Sequence, residues 1–229
     1  MGGNLPVLPA LSRSRASAQR THCLNNLRQI SLGLQLYAAE NADTLPAAPN
    51  VTGGVMTTNH WGVFYRRLIN GYLARQATSS PQDKLFACPA DTFCYDYPSL
   101  AYKAQGMHEQ SITEYSSYGF NGANGSPNSP PAFLNERSFP GVFGRKQASI
   151  KDPARTLLLM ECAAFFPWSW HQPLKLPGGQ FGVDRARNLV SFVDGHVRYV
   201  TIYWNPKYRK ITACSYDTPS GYAYKRSGD

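Results

Sequence analysis

The sequence predicts an α+β fold in which one long N-terminal helix packs on an antiparallel sheet joined by extended ordered loops. Three observations carry this. Between Ala10 and Asn41 the apolar residues Leu24, Leu27, Ile30, Leu34 and Tyr37 recur at spacings of three and four, the period of one helix face. Near the other end, NLVSFVDGHVRYVTIYW (188–204) alternates apolar and polar residues on both sides of Asp194-Gly195. Between them lies a stretch, 77–150, rich in Ser, Pro, Gly, Asn and Tyr.

Taken in chain order, the helix over 10–41 starts with SRSRASAQR, which is polar on nearly every side. That part is expected to project from the globular body, carrying Arg13, Arg15 and Arg20 into solvent. Asp43-Thr44-Leu45-Pro46 ends the helix, since proline disfavours helical backbone in the residue before it. HWGVFYRRLINGYLARQ (60–76) predicts a second helix with Trp61, Phe64, Leu68 and Tyr72 on one face, broken or capped at Asn70-Gly71. Residues 77–150 read as a loop-rich insertion with isolated strands. RTLLLMECA (155–163), a continuous apolar run between Asp152-Pro153 and Pro167, predicts a central strand in a sheet region spanning 151–229. Asp194-Gly195 predicts a two-residue type I′ hairpin turn, from which the pleat carries His196 away from Asp194. With neither an internal repeat nor a clear linker, 1–229 forms one domain.

The net charge of +9 favours an anionic partner, but the basic residues are scattered, as on an ordinary basic surface. The arginines of residues 13–28 form no tight stripe and no recognition motif accompanies them, so specific nucleic-acid binding is not expected. Trp168 and Trp170 in FFPWSWH are candidates for stacking on a polysaccharide, with packing on the sheet as the alternative. Of the five cysteines, Cys88 and Cys94 are close in sequence and form the candidate disulfide for an oxidising compartment. No run of apolar residues is long enough to span a bilayer. LPVLPAL (5–11) reads as the end of a hydrophobic segment that was removed, so the chain is expected to be soluble as given.

Two chemistries are conceivable. If the hairpin lies beside the 155–163 strand, Glu161, Asp184 and Asp194 converge, and three hard oxygen ligands favour calcium. Alternatively, Asp194 and His196 act as orienter and base in a secreted ester or lactone hydrolase. However, the chain has no Gly-x-Ser-x-Gly elbow, no Ser-x-x-Lys and no His-Glu-x-x-His. His22, His60, His108 and His171 each read as isolated surface or packed histidines.

Three segments together carry a family resemblance. LPALSRSRASAQRTHCLNNLRQISLGLQLYAAENADTLP resembles the tail of a pilin-type helix running into a Cys-x-Asn-Asn-Leu-Arg-Gln segment. FACPAD resembles a Cys-Pro-x-Asp element, and LVSFVDGHV a C-terminal signature described as His, nine residues, then Asp-Gly. The closing YDTPSGYAYKRSGD has the same character. The combination is similar to prepilin-like proteins, the pseudopilins of type II secretion and type IV pilus-like systems. Here Asp184 stands where the signature has its histidine, and the hydrophobic half of the prepilin helix is absent. The resemblance implies a structural or display subunit on the periplasmic or extracellular side of a bacterial envelope. It would contact sister subunits through the helix, hold calcium-stabilised loops and face a secreted cargo or polysaccharide.

Overall fold

The computed structural model of the chain describes residues 7–47, 63–75, 78–95, 101–121, 141–142, 144–165, 168–172, 185–203 and 218–228. One long helix lies against an antiparallel sheet, as the periodicities predict. Helix α1 spans Val7–Glu40. Its buried seam is Cys23, Leu27, Ile30, Leu34 and Ala38, spaced by three and four residues. Burying each of the larger aliphatic side chains stabilises the fold by about 1.5–3 kcal/mol. Residues 9–18 are exposed on every side, so the first turns stand clear of the body. The helix ends where Ala42 and Asp43 take positive φ (53° and 62°). The Asp43 carboxylate then accepts the Ala148 amide at 2.9 Å, and the Leu45 amide donates to the Arg145 carbonyl at 2.9 Å.

The second helix is shorter than predicted: α2 covers Tyr65–Ile69, followed by a 3-10 turn at Gly71–Leu73. Trp61 lies outside the described residues, and Leu68 is exposed. Phe64 is buried as predicted, and Tyr65, Arg66 and Ile69 are buried with it. Asn70-Gly71 does break the helix, and Ala74, at φ 51°, turns the chain away.

Strands β1 (Cys94–Tyr95) and β2 (Tyr102–Lys103) form a two-stranded antiparallel ribbon. The main sheet comprises β3 (Tyr118–Phe120), β4 (Leu157–Glu161), β5 (Arg187–Phe192) and β6 (Val197–Thr201), antiparallel throughout and in sequence order. All five residues of β4 are buried, which explains its unbroken apolar run. In β5, Asn188 through Phe192 are also buried on both faces. Their alternation therefore does not separate a wet face from a dry one. Helix α1 packs on β4, β5 and β6. Among the described residues no helix is long and apolar enough to cross a membrane.

The β5–β6 turn differs from the predicted type I′. Gly195 has φ 89°, but Asp194 is not among the positive-φ residues. The Gly195 amide donates to the Phe192 carbonyl at 2.8 Å, and the Phe192 amide to the His196 carbonyl at 3.0 Å. These bonds define a three-residue loop, Val193-Asp194-Gly195, with glycine in the left-handed bulge position. The extra residue reverses the side-chain alternation. His196 is not carried away from Asp194: its Nδ1 lies 2.6 Å from Asp194 Oδ1, and its ring stacks on Phe192 at 4.2 Å.

Candidate functional site

Glu161 ends β4 inside the protein, with no exposed surface. A carboxylate placed there needs compensation, because burying an unpaired charge or polar group is costly. It finds two partners. Oε2 accepts the Leu189 amide of β5 at 2.8 Å, and Oε1 lies 2.8 Å from His171 Nε2. After β4 comes a 3-10 turn, Cys162–Phe165, and the segment carrying His171 is held to that turn and to β5: the Trp168 amide donates to the Ala163 carbonyl at 3.2 Å, and the Trp168 carbonyl accepts from Asn188 Nδ2 at 2.8 Å. His171 packs edge-on against Tyr199 of β6, at 6.2 Å between ring centroids.

Against this pair lies a disulfide between Cys23 of α1 and Cys88. Cys88 Sγ is 3.7 Å from Glu161 Oε1 and 3.7 Å from His171 Nε2. Cys23, Cys88, Glu161 and His171 each offer one ligand-type atom, and all four atoms lie within 4.8 Å of one another. The predicted Cys88–Cys94 pairing is therefore corrected. Cys88 is bonded across 65 residues to the helix, while Cys94, buried in β1, accepts a hydrogen bond from Gln110 Nε2 at 3.2 Å. Sequence proximity suggested the local pair, but packing of the helix on the loop decides the partner.

The loop is held to α1 by more than the disulfide. Asn26 Nδ2 donates to the carbonyls of Lys84 and Ala87 at 3.0 and 3.1 Å, and Gln19 Nε2 donates to the Pro89 carbonyl at 3.1 Å. Asp91, buried, accepts the amides of Met107 and His108 at 2.8 and 3.0 Å and the Ser117 hydroxyl at 2.7 Å. Ser117 Oγ in turn receives the Cys88 amide at 2.9 Å. Gly106 approaches the Asp91 carbonyl so closely that a side chain at this position would collide with it. The Cys23-to-Asn26 segment, FACPAD and the first half of the LVSFVDGHV strand thus meet around one buried point.

The predicted carboxylate trio does not meet. Glu161 ends β4 and accepts the Leu189 amide, whereas the Asp194 amide donates at 3.3 Å to the carbonyl of Pro153, four residues before β4 begins, so the two carboxylates lie toward opposite ends of that strand. Helix α1 marks the same separation: Cys23 lies beside Glu161, and Gln35, about 18 Å along the helix, donates to the Val193 carbonyl at 2.6 Å. Asp194 instead caps the turn, accepting the His196 amide at 3.1 Å. Asp184 lies outside the described residues. Calcium shared by Glu161 and Asp194 is thereby excluded. The atoms grouped around Glu161 include two sulfurs and an imidazole, a softer set than calcium prefers.

Trp168 and Trp170 are both buried. Trp168 packs edge-on against Tyr95 at 5.3 Å, and Trp170 Nε1 donates to the Phe93 carbonyl at 2.8 Å. They are packing residues and offer no platform for a sugar.

The sequence reading missed His171 as a partner of Glu161. The signal available was the glutamate itself: an ionisable residue closing an otherwise apolar strand requires a nearby polar partner, and His171 is the nearest following histidine. Comparisons with models of protein families, with curated proteins and with solved structures returned no match to this chain.

Proposed function

We propose that the chain is the folded, partner-facing part of a pseudopilin-like subunit of a type II secretion or type IV pilus-like system. It would act by assembly or display, on the periplasmic or extracellular side of the envelope. One observation carries this: α1 is 34 residues long, but its core seam begins only at Cys23. Residues 9–18, about 15 Å of helix, stand exposed beside the body. On an isolated domain such an extension buries nothing. In an assembly it is a handle for neighbouring helices. Leu11, Leu32 and Leu36 are exposed on α1, and the last two are one turn apart on one face.

Two further features support the reading. The Cys23–Cys88 disulfide suits an oxidising compartment. The segments that resemble the prepilin-like family are also those that the disulfide, Asn26 and Glu161 draw together. The cargo or polysaccharide that such a subunit would face stays within this proposal.

The test is photo-crosslinking in the producing cell, with a photoreactive residue at Leu11, Leu32 or Ser14. Adducts to copies of this chain or to other small envelope subunits are expected from Leu11 and Leu32. If all three positions gave only uncrosslinked chain, the assembly role would be lost.

A further inference from the structure

The arrangement around Glu161 has a geometric peculiarity. In a catalytic relay, a histidine uses one ring nitrogen for the nucleophile and the other for the orienting carboxylate. Here Glu161 Oε1, at 2.8 Å, and Cys88 Sγ, at 3.7 Å, both approach the same nitrogen, Nε2 of His171. The groups converge on a common point and do not form a chain, which is how ligands surround an ion.

We propose that reduction of the Cys23–Cys88 disulfide turns this cluster into a tetrahedral zinc site, with Cys23 Sγ, Cys88 Sγ, His171 Nε2 and Glu161 Oε1 as ligands. Two thiolates, an imidazole and a carboxylate are a borderline-soft donor set that zinc takes in four-coordinate geometry. With zinc–sulfur near 2.3 Å and zinc–nitrogen or zinc–oxygen near 2.0 Å, ligand atoms in such a tetrahedron sit about 3.3–3.8 Å apart. Cys88 Sγ already stands 3.7 Å from both Oε1 and Nε2. The Glu161–His171 separation of 2.8 Å needs to open by about half an ångström. The two sulfurs are freed to separate once their bond is cleaved.

The support around the ligands is also in place. The Leu189 amide fixes Glu161 through Oε2 and so aims Oε1 at the cluster. Tyr199 packs on the His171 ring, and the guanidinium groups of Arg20 and Arg187 lie over that tyrosine at 5.3 and 4.4 Å. Their positive charge complements the single net negative charge of zinc with two thiolates and one carboxylate.

The chemistry balances with a dithiol reductant. Two electrons and two protons pass from the dithiol, which becomes a disulfide, to the Cys23–Cys88 bond, giving two thiols. Zinc then binds as both thiol protons leave to solvent. The oxidised chain holds a closed disulfide beside the Glu161–His171 pair; the reduced chain holds a metal in the same place. This inference does not depend on the assembly role.

The experiment uses the full chain, oxidised or reduced anaerobically, titrated with cobalt(II) and then zinc. The reduced protein is expected to bind one cobalt per chain, with thiolate charge-transfer and tetrahedral d–d absorption that zinc abolishes. The oxidised protein should show neither band. His171→Ala and Glu161→Gln should each weaken cobalt binding about tenfold or more, and Cys23→Ser with Cys88→Ser should eliminate it. Absence of the bands would overturn the proposal. So would bands unchanged in the His171 and Glu161 variants, which would mean that other cysteines take the metal. If reduction unfolds the chain, equimolar zinc must restore its circular dichroism; failure to do so also overturns it.

Discussion

Cys23 on the inner face of α1 and Cys88 in the loop that covers it are bonded with their Cα atoms 5.0 Å apart, 65 residues apart in sequence. A crosslink closing a loop of that length removes enough freedom from the unfolded chain to stabilise the fold by about 4 kcal/mol in the chain-entropy model. The double variant Cys23→Ala, Cys88→Ala should lose that amount in urea unfolding. Non-reducing peptide mapping should recover the Cys23 and Cys88 peptides joined to each other. A Cys88–Cys94 peptide would contradict the structure.

Glu161 should be a stability determinant in the oxidised protein. Glu161→Ala strands the Leu189 amide and leaves His171 Nε2 without its 2.8 Å partner, both inside the protein. A cost of about 3 kcal/mol is expected from two orphaned buried groups. Glu161→Gln retains an oxygen for Leu189 and an amide for the imidazole, and should cost less than half as much. Equal losses in the two variants would show that the hydrogen bonds are not what the carboxylate supplies.

The unequal legibility of these features has a physical origin. The α1 seam and the β4 run were readable because helix period and continuous burial are written in consecutive residues such as Leu27, Ile30 and Leu34 or Leu157, Leu158 and Leu159. Asp194-Gly195 announced a turn but not its type, since the same dipeptide serves a type I′ loop and a type I turn with a glycine bulge. That one-residue difference decided where His196 points. The partner of Cys88 and the meeting of His171 with Glu161 depend on how the helix and the loop after β4 pack on the sheet. Local spacing does not encode either.

At the hairpin, Gly195 holds φ at 89°, and nothing lies within 4 Å of where a Cβ would be. The cost of Gly195→Ala is therefore purely conformational, about 1–2 kcal/mol for an L residue in left-handed backbone. Gly195→Asn should cost less, since asparagine tolerates this region better. Thermal melts of both variants give the comparison. If alanine proved neutral, the bulged turn would be wrong. Asp194→Ala, which removes acceptors for the His196 amide and ring, should leave the fold intact with a smaller loss.

Arg66 is buried in α2 with its guanidinium 4.2 Å from the Phe86 ring centroid. It donates to the carbonyls of Glu114, Tyr115 and Ser80 and to the Asp83 carboxylate. Glu114 and Tyr115 both have positive φ (48° and 58°), so the guanidinium secures a pair of unfavourable backbone conformations. Burial lowers its pKa, yet an arginine stays charged at any ordinary pH. Arg66→Met should cost about 3 kcal/mol and speed hydrogen exchange around residues 114–117. Arg66→Lys should recover little, because an ammonium cannot span the same fork of acceptors. Full recovery by lysine would reduce the interaction to simple charge.

Alkaline pH should unfold this protein through its buried tyrosines. Burial raises the pKa of Tyr65, Tyr118 and Tyr224 above the ordinary 10.0, and at Tyr118 the nearby Glu161 charge adds to the effect. Above pH 10 the unfolded chain releases these protons while the folded chain keeps them. The unfolded state thus binds fewer protons, and stability falls as pH rises. Each fully retained phenol contributes a slope of up to about 1.4 kcal/mol per pH unit. The buried Cys162 thiol, raised above its ordinary 9.0 by burial, acts in the same direction from a lower pH. Ultraviolet phenolate absorbance should therefore rise first for the accessible tyrosines, then step upward together with loss of circular dichroism. A single smooth titration with the fold intact would mean that these three phenols are in contact with solvent.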